Sequence, residues 1–246
     1  MKTLIVFVLT VSFLGCTSSA TEIVRTSDGD LQGYEKENVS YFLGIPFAEP
    51  PVGKLRWRAP QPTLAWDGIR EAKNFGPACM QPTNIGNSLF LELMLDGFGL
   101  AWYEKFIINL LAFMDLGSGT EYSEDCLYLN VIAPKDAKNL PVMFWIHGGA
   151  SRFGSGGDSI YLSSKFAEKD VILITTNYRL GSLGWFAHPK LSEESENNVS
   201  GNYGSLDMIA ALTWVKENIE AFGGNPNSVT IFGESAGGQA VGTLLA

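Results

Sequence analysis

Val229-Thr230-Ile231-Phe232-Gly233-Glu234-Ser235-Ala236-Gly237-Gly238-Gln239-Ala240-Val241 decides the fold. Its first four residues are apolar or β-branched and read as a buried strand. Its last six are small enough to start a helix packed tightly beneath that strand. A chain that passes straight from strand to helix forces the serine between them into strained backbone. Glycines two residues to either side, Gly233 and Gly237, remove the Cβ atoms that would collide. The Ser235 hydroxyl is thereby expected to stand clear of the sheet at a helix N-terminus, where negative charge is favoured. A G-x-S-x-G match is weak alone. The strand before it and the helix after it give it weight.

A second element lies upstream. Trp145-Ile146-His147-Gly148-Gly149-Ala150 ends another apolar strand. Small residues there let backbone N–H groups reach a reacting carbonyl, and with the N–H of Ala236 they would form an oxyanion hole. Continuous apolar runs at residues 127–133, 142–147, 171–177 and 229–233 read as strands buried on both faces, as a parallel sheet requires. Helical segments separate them. In the one before the elbow, Leu206, Ile209, Ala210, Thr213 and Trp214 share a face, and Gly223-Gly224 with Pro226 end the helix. Residues 22–80 are β-rich and broken by turns such as Pro50-Pro51-Val52-Gly53. The expected architecture is α/β, an open sheet with an antiparallel β-rich start.

The 246 residues carry a net charge of −9, with 46% apolar and 12% aromatic residues. That composition suits a folded globular chain. The acidic balance argues against a nucleic-acid partner, which needs a basic face. Residues 4–15 form the only long apolar run, too short to span a bilayer. Behind Met1-Lys2 this run reads as a secretory signal, so residues 1–20 are expected to be a leader and the mature chain to be exported. Two cuts fit. Ser18-Ser19-Ala20 offers small residues at −3 and −1. Phe13-Leu14-Gly15-Cys16 resembles a bacterial lipoprotein box, in which a lipidated Cys16 would attach the protein to a membrane. Cys79 and Cys126 are then left, and an even pair in an exported chain reads as one disulfide. Its loop closure would contribute about 3–4 kcal/mol. Between them, residues 85–117 are dense in apolar side chains. Leu89, Leu93, Phe106, Leu110 and Phe113 suit two short amphipathic helices, either a cap on the sheet or an apolar lid over a substrate entrance.

Further motifs run through the chain in order. They include Phe42-Leu43-Gly44-Ile45-Pro46-Phe47-Ala48-Glu49-Pro50-Pro51, Leu55-Arg56-Trp57, and Ser123-Glu124-Asp125-Cys126-Leu127-Tyr128-Leu129-Asn130. Asn177-Tyr178-Arg179, Gly201-Asn202-Tyr203-Gly204 with Asp207, and Phe222-Gly223-Gly224-Asn225-Pro226 follow. With these the chain, from about residue 22 onward, resembles the type-B carboxylesterases, the family that includes cholinesterases and related lipases. The resemblance implies an α/β-hydrolase fold, with residues 22–246 its amino-terminal part and a mostly parallel central sheet. It implies hydrolysis of small-molecule carboxylic esters through an acyl group on Ser235, with no metal or cofactor. Gly149, Ala150 and Ala236 would supply the oxyanion N–H donors. His147 would support the glycine turn, and Glu234 would be a secondary electrostatic contributor. Cys79–Cys126 would be the family's first disulfide, and Arg56–Glu124 and Arg179–Asp207 its structural ion pairs. Ala150 stands where many members have a third glycine, and Ser151 where an aromatic is usual.

A serine nucleophile needs a histidine base and an acid to orient it. The sequence holds two histidines, His147 in the glycine turn and His188 before Pro189, and neither matches the family's base. Only eleven residues follow Ser235, whereas the hydrolase order runs serine, acid, histidine. The 246 residues are therefore expected to be an inactive amino-terminal fragment ending just after the elbow. A rival class is a non-catalytic adhesion module on the same fold, against which the intact elbow argues. Within hydrolases, the apolar stretch 85–117 leaves an interfacial lipase as the other candidate.

Overall fold

The computed structural model describes residues 19–82, 96–97, 99, 101–105 and 121–246. The leader through Ser18, with Cys16, and nearly all of the apolar stretch 85–117 lie outside the described residues. So do Leu89, Leu93, Phe106, Leu110 and Phe113. Ser19 and Ala20, at one of the two candidate cleavage points, form β1 (Ser19–Ala20).

The β-rich start is present, in part antiparallel. It comprises β2 (Val24–Arg25), β3 (Asp30–Gln32), β4 (Tyr34–Lys36), β5 (Val39–Pro46), β6 (Ile69–Glu71) and β7 (Ala78–Cys79). The β2–β3 and β4–β5 pairs are antiparallel, whereas β6 runs parallel to β3 and β7 parallel to the strand at Tyr122–Ser123. After this start come β8 (Tyr122–Ser123), β9 (Tyr128–Pro134), β10 (Leu140–Ile146), β11 (Ile172–Thr176) and β12 (Gly224–Gly233). Seven strands form the main sheet in the order β1-β4-β5-β9-β11-β10-β12. Pairing is antiparallel from β1 across to β11. It is parallel for β11-β10-β12. The run at 127–133, expected among the parallel strands, is thus antiparallel to both neighbours. An unbroken apolar strand tells that both faces are covered and carries no information about direction.

Register places the site. Ile146 pairs with Thr176 on one side and with Gly233 on the other, so all three parallel strands end at one level. The loops leaving that level carry His147 to Gly154, Asn177 to Arg179, and Glu234 to Ala236. The carboxyl edge of parallel strands is where open α/β sheets bind ligands. Leu129, Val131, Val142, Phe144, Ile146, Ile172 and Ile174 are fully buried in this sheet. Each side chain of that size contributes roughly 1.5–3 kcal/mol by leaving water.

Helices α1 (Gly181–Trp185), α2 (Pro189–Glu193), α3 (Tyr203–Asn218) and α4 (Ala236–Leu244) complete the described framework. The face of α3 differs from the expected one. Asp207, Met208, Ala211, Trp214 and Val215 face the core, whereas Ile209 is 48% exposed and Thr213 is exposed. The apolar stripe misled because the buried face is anchored by a charged residue, Asp207, which a hydrophobic period assigns to water. Thr213 instead turns its hydroxyl back to the Ile209 carbonyl at 2.9 Å. The helix runs into a 3-10 turn, Ile219–Phe222, and stops at Gly223, where φ is 81°. Among the described residues β12 lies at one edge of the sheet, and residues 229–232 are half-buried or exposed rather than sealed on both faces.

Candidate active site

Ser235 caps the N-terminus of α4 with φ 53° and ψ −119°, a left-handed conformation that costs a residue with a Cβ about 1–3 kcal/mol. The two glycines are there for the expected reason. A Cβ on Gly233 would stand 2.5 Å from the Gly237 carbonyl carbon, and one on Gly237 would run into the Ile146 carbonyl oxygen. The bend is held by the Gly237 N–H donating to the Glu234 carbonyl at 2.8 Å and the Gln239 N–H to that of Ser235 at 3.0 Å. Ser235 is exposed, and its hydroxyl has no hydrogen-bond partner among the described residues. The N–H of Ala236, in the first turn of α4, is one of the donors a helix leaves unused.

The glycine turn lies against this elbow. A Cβ on Gly148 would strike the Glu234 carboxylate and approach the Ser235 Cβ to 3.2 Å. Gly149 (φ 98°), Ala150 (φ 52°) and Ser151 (φ 55°) then run through left-handed backbone. The Gly149 carbonyl accepts the N–H groups of Arg152 (2.9 Å) and Phe153 (3.1 Å), and the Ser151 carbonyl accepts that of Gly181 at 2.7 Å. The N–H groups of Gly149 and Ala150 make no hydrogen bond among the described residues. Unfilled backbone donors beside an exposed serine are suited to receive an oxyanion. Glu234 places its carboxylate beside Gly148, at the mouth of the same turn.

His147 underlies the turn. It is fully buried, its ring stacked on Tyr178 with centroids 4.3 Å apart. Its Nδ1 lies 2.8 Å from the Gly148 carbonyl oxygen, and the Tyr178 hydroxyl donates to the His147 carbonyl at 2.7 Å. A carbonyl only accepts, so Nδ1 carries the proton. Burial lowers the imidazole from 6.5 to about 4, against smaller opposing effects of the Gly148 hydrogen bond and the Asp158 charge. The group therefore adds nothing to stability above pH 6.5, where it is neutral both folded and unfolded. As pH falls from 6.5 to about 4, the unfolded chain gains a proton that the folded one refuses. Stability is expected to fall by roughly 3 kcal/mol over that window. Urea midpoints from pH 7 to 4 should show this slope. It should flatten in His147→Asn, which keeps a donor near the Nδ1 position without a titrating ring. An equal slope in both proteins would contradict the assignment.

The supporting residues expected from sequence come together. Cys79 and Cys126 form a disulfide, with Cα atoms 4.9 Å apart. Arg56 and Glu124 meet through two bonds of 2.5 and 2.7 Å, both partly exposed. Arg179 grips Asp207 with two bonds of 2.8 and 2.6 Å, while its own backbone N–H donates to Asp207 at 2.9 Å. Their side chains are 4% and 0% exposed. His188 is apart from this chemistry. Exposed, it caps α2 by accepting the Lys190 N–H at 3.2 Å. Neither histidine bonds Ser235.

Sequence reasoning missed a buried polar network behind the glycine turn. Asn130 donates to the Gly156 carbonyl (3.2 Å) and to Thr175 (2.9 Å). Asn177 donates to the carbonyls of Pro77 and Cys126 and accepts the Gly156 N–H at 2.8 Å. The available signal was an asparagine at or beside an apolar strand, which is costly to bury without partners. Among the described residues there is no group of three or more His, Cys, Asp or Glu fit to hold a metal, and no helix long and apolar enough to cross a membrane.

An exposed serine at a strained strand-to-helix bend, facing a glycine turn at the carboxyl edge of a mixed sheet, defines an α/β-hydrolase elbow. Comparison agrees. The carboxylesterase family model matches residues 20–246, and the chain belongs to that family. It is 49% identical over 227 residues to the fumonisin B1 esterase of Sphingopyxis macrogoltabida, covering 91% of this chain and 37% of that protein. It is 42% identical to the para-nitrobenzyl esterase of Bacillus subtilis, covering 92% of this chain and 40% of that protein. A solved PNB esterase superposes with a TM-score of 0.74 over 91% of this chain and 40% of that one, at 42% identity. The Geobacillus stearothermophilus carboxylesterase EST55 superposes with a TM-score of 0.72, covering 92% of this chain and 41% of that one, at 42% identity. The chain spans about two-fifths of the length of these relatives.

Proposed function

We propose that this chain carries the nucleophile and oxyanion hole of a serine carboxylesterase acting on small-molecule esters, with a base that is neither His147 nor His188. The Ser235 oxygen attacks the ester carbonyl carbon as the base takes its proton. The carbonyl oxygen becomes an oxyanion held by the N–H groups of Gly149, Ala150 and Ala236. The C–O bond to the alcohol breaks, and the base returns its proton to the departing oxygen. Water, deprotonated by the same base, then attacks the acyl group and releases the acid and free Ser235. No step uses a metal or cofactor. The observation that carries this reading is the exposed Ser235 hydroxyl, unpartnered among the described residues and set against a turn with unfilled N–H donors. The relatives named as esterases support the same chemistry.

The test compares residues 1–246 with the full-length protein on p-nitrophenyl butyrate. The full-length protein is expected to turn the ester over, and residues 1–246 by themselves to give no rate above buffer, because neither histidine reaches Ser235. Turnover by residues 1–246 alone would overturn the assignment of the base. No turnover by the full-length protein on any short-chain ester would favour the adhesion reading.

A further inference from the structure

We propose that Gln81, two residues beyond the disulfide cysteine Cys79, is a positioning residue for the oxyanion hole. This rests on the serine-esterase reading above. Both ends of its side-chain amide are engaged. Oε1 accepts the Gly154 N–H at 2.8 Å, while Nε2 donates to the Gly154 carbonyl at 2.9 Å and to the Cys79 carbonyl at 3.0 Å. A primary amide engaging both backbone groups of one residue imitates a strand partner. It fixes the orientation of that residue as well as its distance.

The residue so fixed is packed on the glycine turn. Gly154 has φ 111°, and a Cβ there would stand 2.5 Å from His147 Nδ1 and 3.0 Å from the Gly148 carbonyl oxygen. Gly154 is therefore the floor against which the His147 ring and the Gly148 carbonyl rest. His147 in turn bonds that carbonyl at 2.8 Å. In a trans peptide the carbonyl of Gly148 and the N–H of Gly149 point in opposite directions, so holding the first aims the second. Contacts thus run from Cys79 through Gln81 and Gly154 to the Gly148–Gly149 peptide, whose N–H is an oxyanion donor. The other end of the turn is held by Tyr178. Gln81 reaches it across 73 positions of sequence, so a side chain at the foot of the disulfide loop sets a donor beside Ser235.

A loop staple without this role would cost stability only. A positioning role makes a sharper prediction, because a misaimed donor weakens the transition state while leaving ester binding largely intact. The experiment uses the full-length protein and its Gln81→Ala and Gln81→Glu variants. Glutamate keeps the length and the acceptor but removes the donor to Gly154 and Cys79, so it tests the orientation should the alanine variant fold poorly. The readouts are kcat and KM on p-nitrophenyl butyrate, and the inhibition constant of an alkyl trifluoromethyl ketone, which forms an oxyanion adduct with a serine. Expected is a drop in kcat of about 10- to 100-fold with KM within about twofold. The ketone should weaken by the same factor as kcat/KM. Wild-type kcat and ketone affinity in Gln81→Glu would overturn the proposal, as would a loss explained wholly by the unfolded fraction. If Ser235→Ala left hydrolysis intact, the serine reading would fail and take this proposal with it. If Ser235→Ala abolished hydrolysis while both Gln81 variants behaved as wild type, the positioning role alone would fail.

Discussion

Replacing Ser235 by alanine in the full-length protein is expected to lower p-nitrophenyl butyrate turnover by about four to six orders of magnitude. The loss should fall on kcat, because the substrate-binding surface stays whole and only the atom that forms the acyl bond is gone. Stability should change by about 0.5 kcal/mol or less. The reasons are local. The hydroxyl is exposed and has no hydrogen-bond partner among the described residues, and alanine at φ 53° carries the same Cβ strain as serine. The bend itself is held by Gly233 and Gly237, whose added Cβ atoms would meet Gly237 and Ile146 respectively. A variant that folds like the parent yet has lost its chemistry is what a nucleophile produces. A variant that keeps turnover within about tenfold of the parent would place the chemistry elsewhere.

The largest stability effect is expected at Asp207. Asp207→Ala leaves the Arg179 guanidinium at 4% exposure with its counter-ion gone. It also strips the partner from the Arg179 backbone N–H and opens a hole on the core face of α3. Breaking one half of a buried pair costs about 3–5 kcal/mol, mostly because the surviving charge stays buried without compensation. The Arg56–Glu124 pair has equally good geometry but side chains 40% and 27% exposed. Glu124→Gln should therefore cost only about 0–1 kcal/mol. Urea denaturation of the two variants beside the parent checks both. Equal losses would mean that burial does not separate the pairs. The Arg179 loop leads from β11 into α1, so the Asp207 variant should also lose activity in proportion to its unfolded fraction.

The parts of this molecule readable in sequence are those in which local geometry constrains residue type within a few positions. Gly233, Ser235 and Gly237 are spaced by the sharpness of one bend. Gly148 and Gly149 are small because the Glu234 carboxylate and the Phe153 carbonyl leave no room for a Cβ. The disulfide follows from an even cysteine pair, and both ion pairs from the resemblance, since their partners sit inside recognisable motifs. What escaped was long-range or directional. Strand direction leaves no trace in an apolar run, so β9 was expected parallel and is antiparallel. The core face of α3 turned on Asp207, whose partner lies 28 positions away, and no periodicity announces a buried charge. Gln81 and Asn177 act across still larger separations, and polar contacts of that kind have no sequence period.

One measurement bears most directly on the central assignment. The full-length protein is incubated with a fluorophosphonate probe, digested, and mapped by mass spectrometry, with Ser235→Ala run in parallel. One adduct is expected, on the peptide carrying Gly233-Glu234-Ser235-Ala236-Gly237, at Ser235 and absent from the variant. An adduct on another residue with Ser235 unmodified, or an unlabelled protein that still hydrolyses ester, would contradict the assignment.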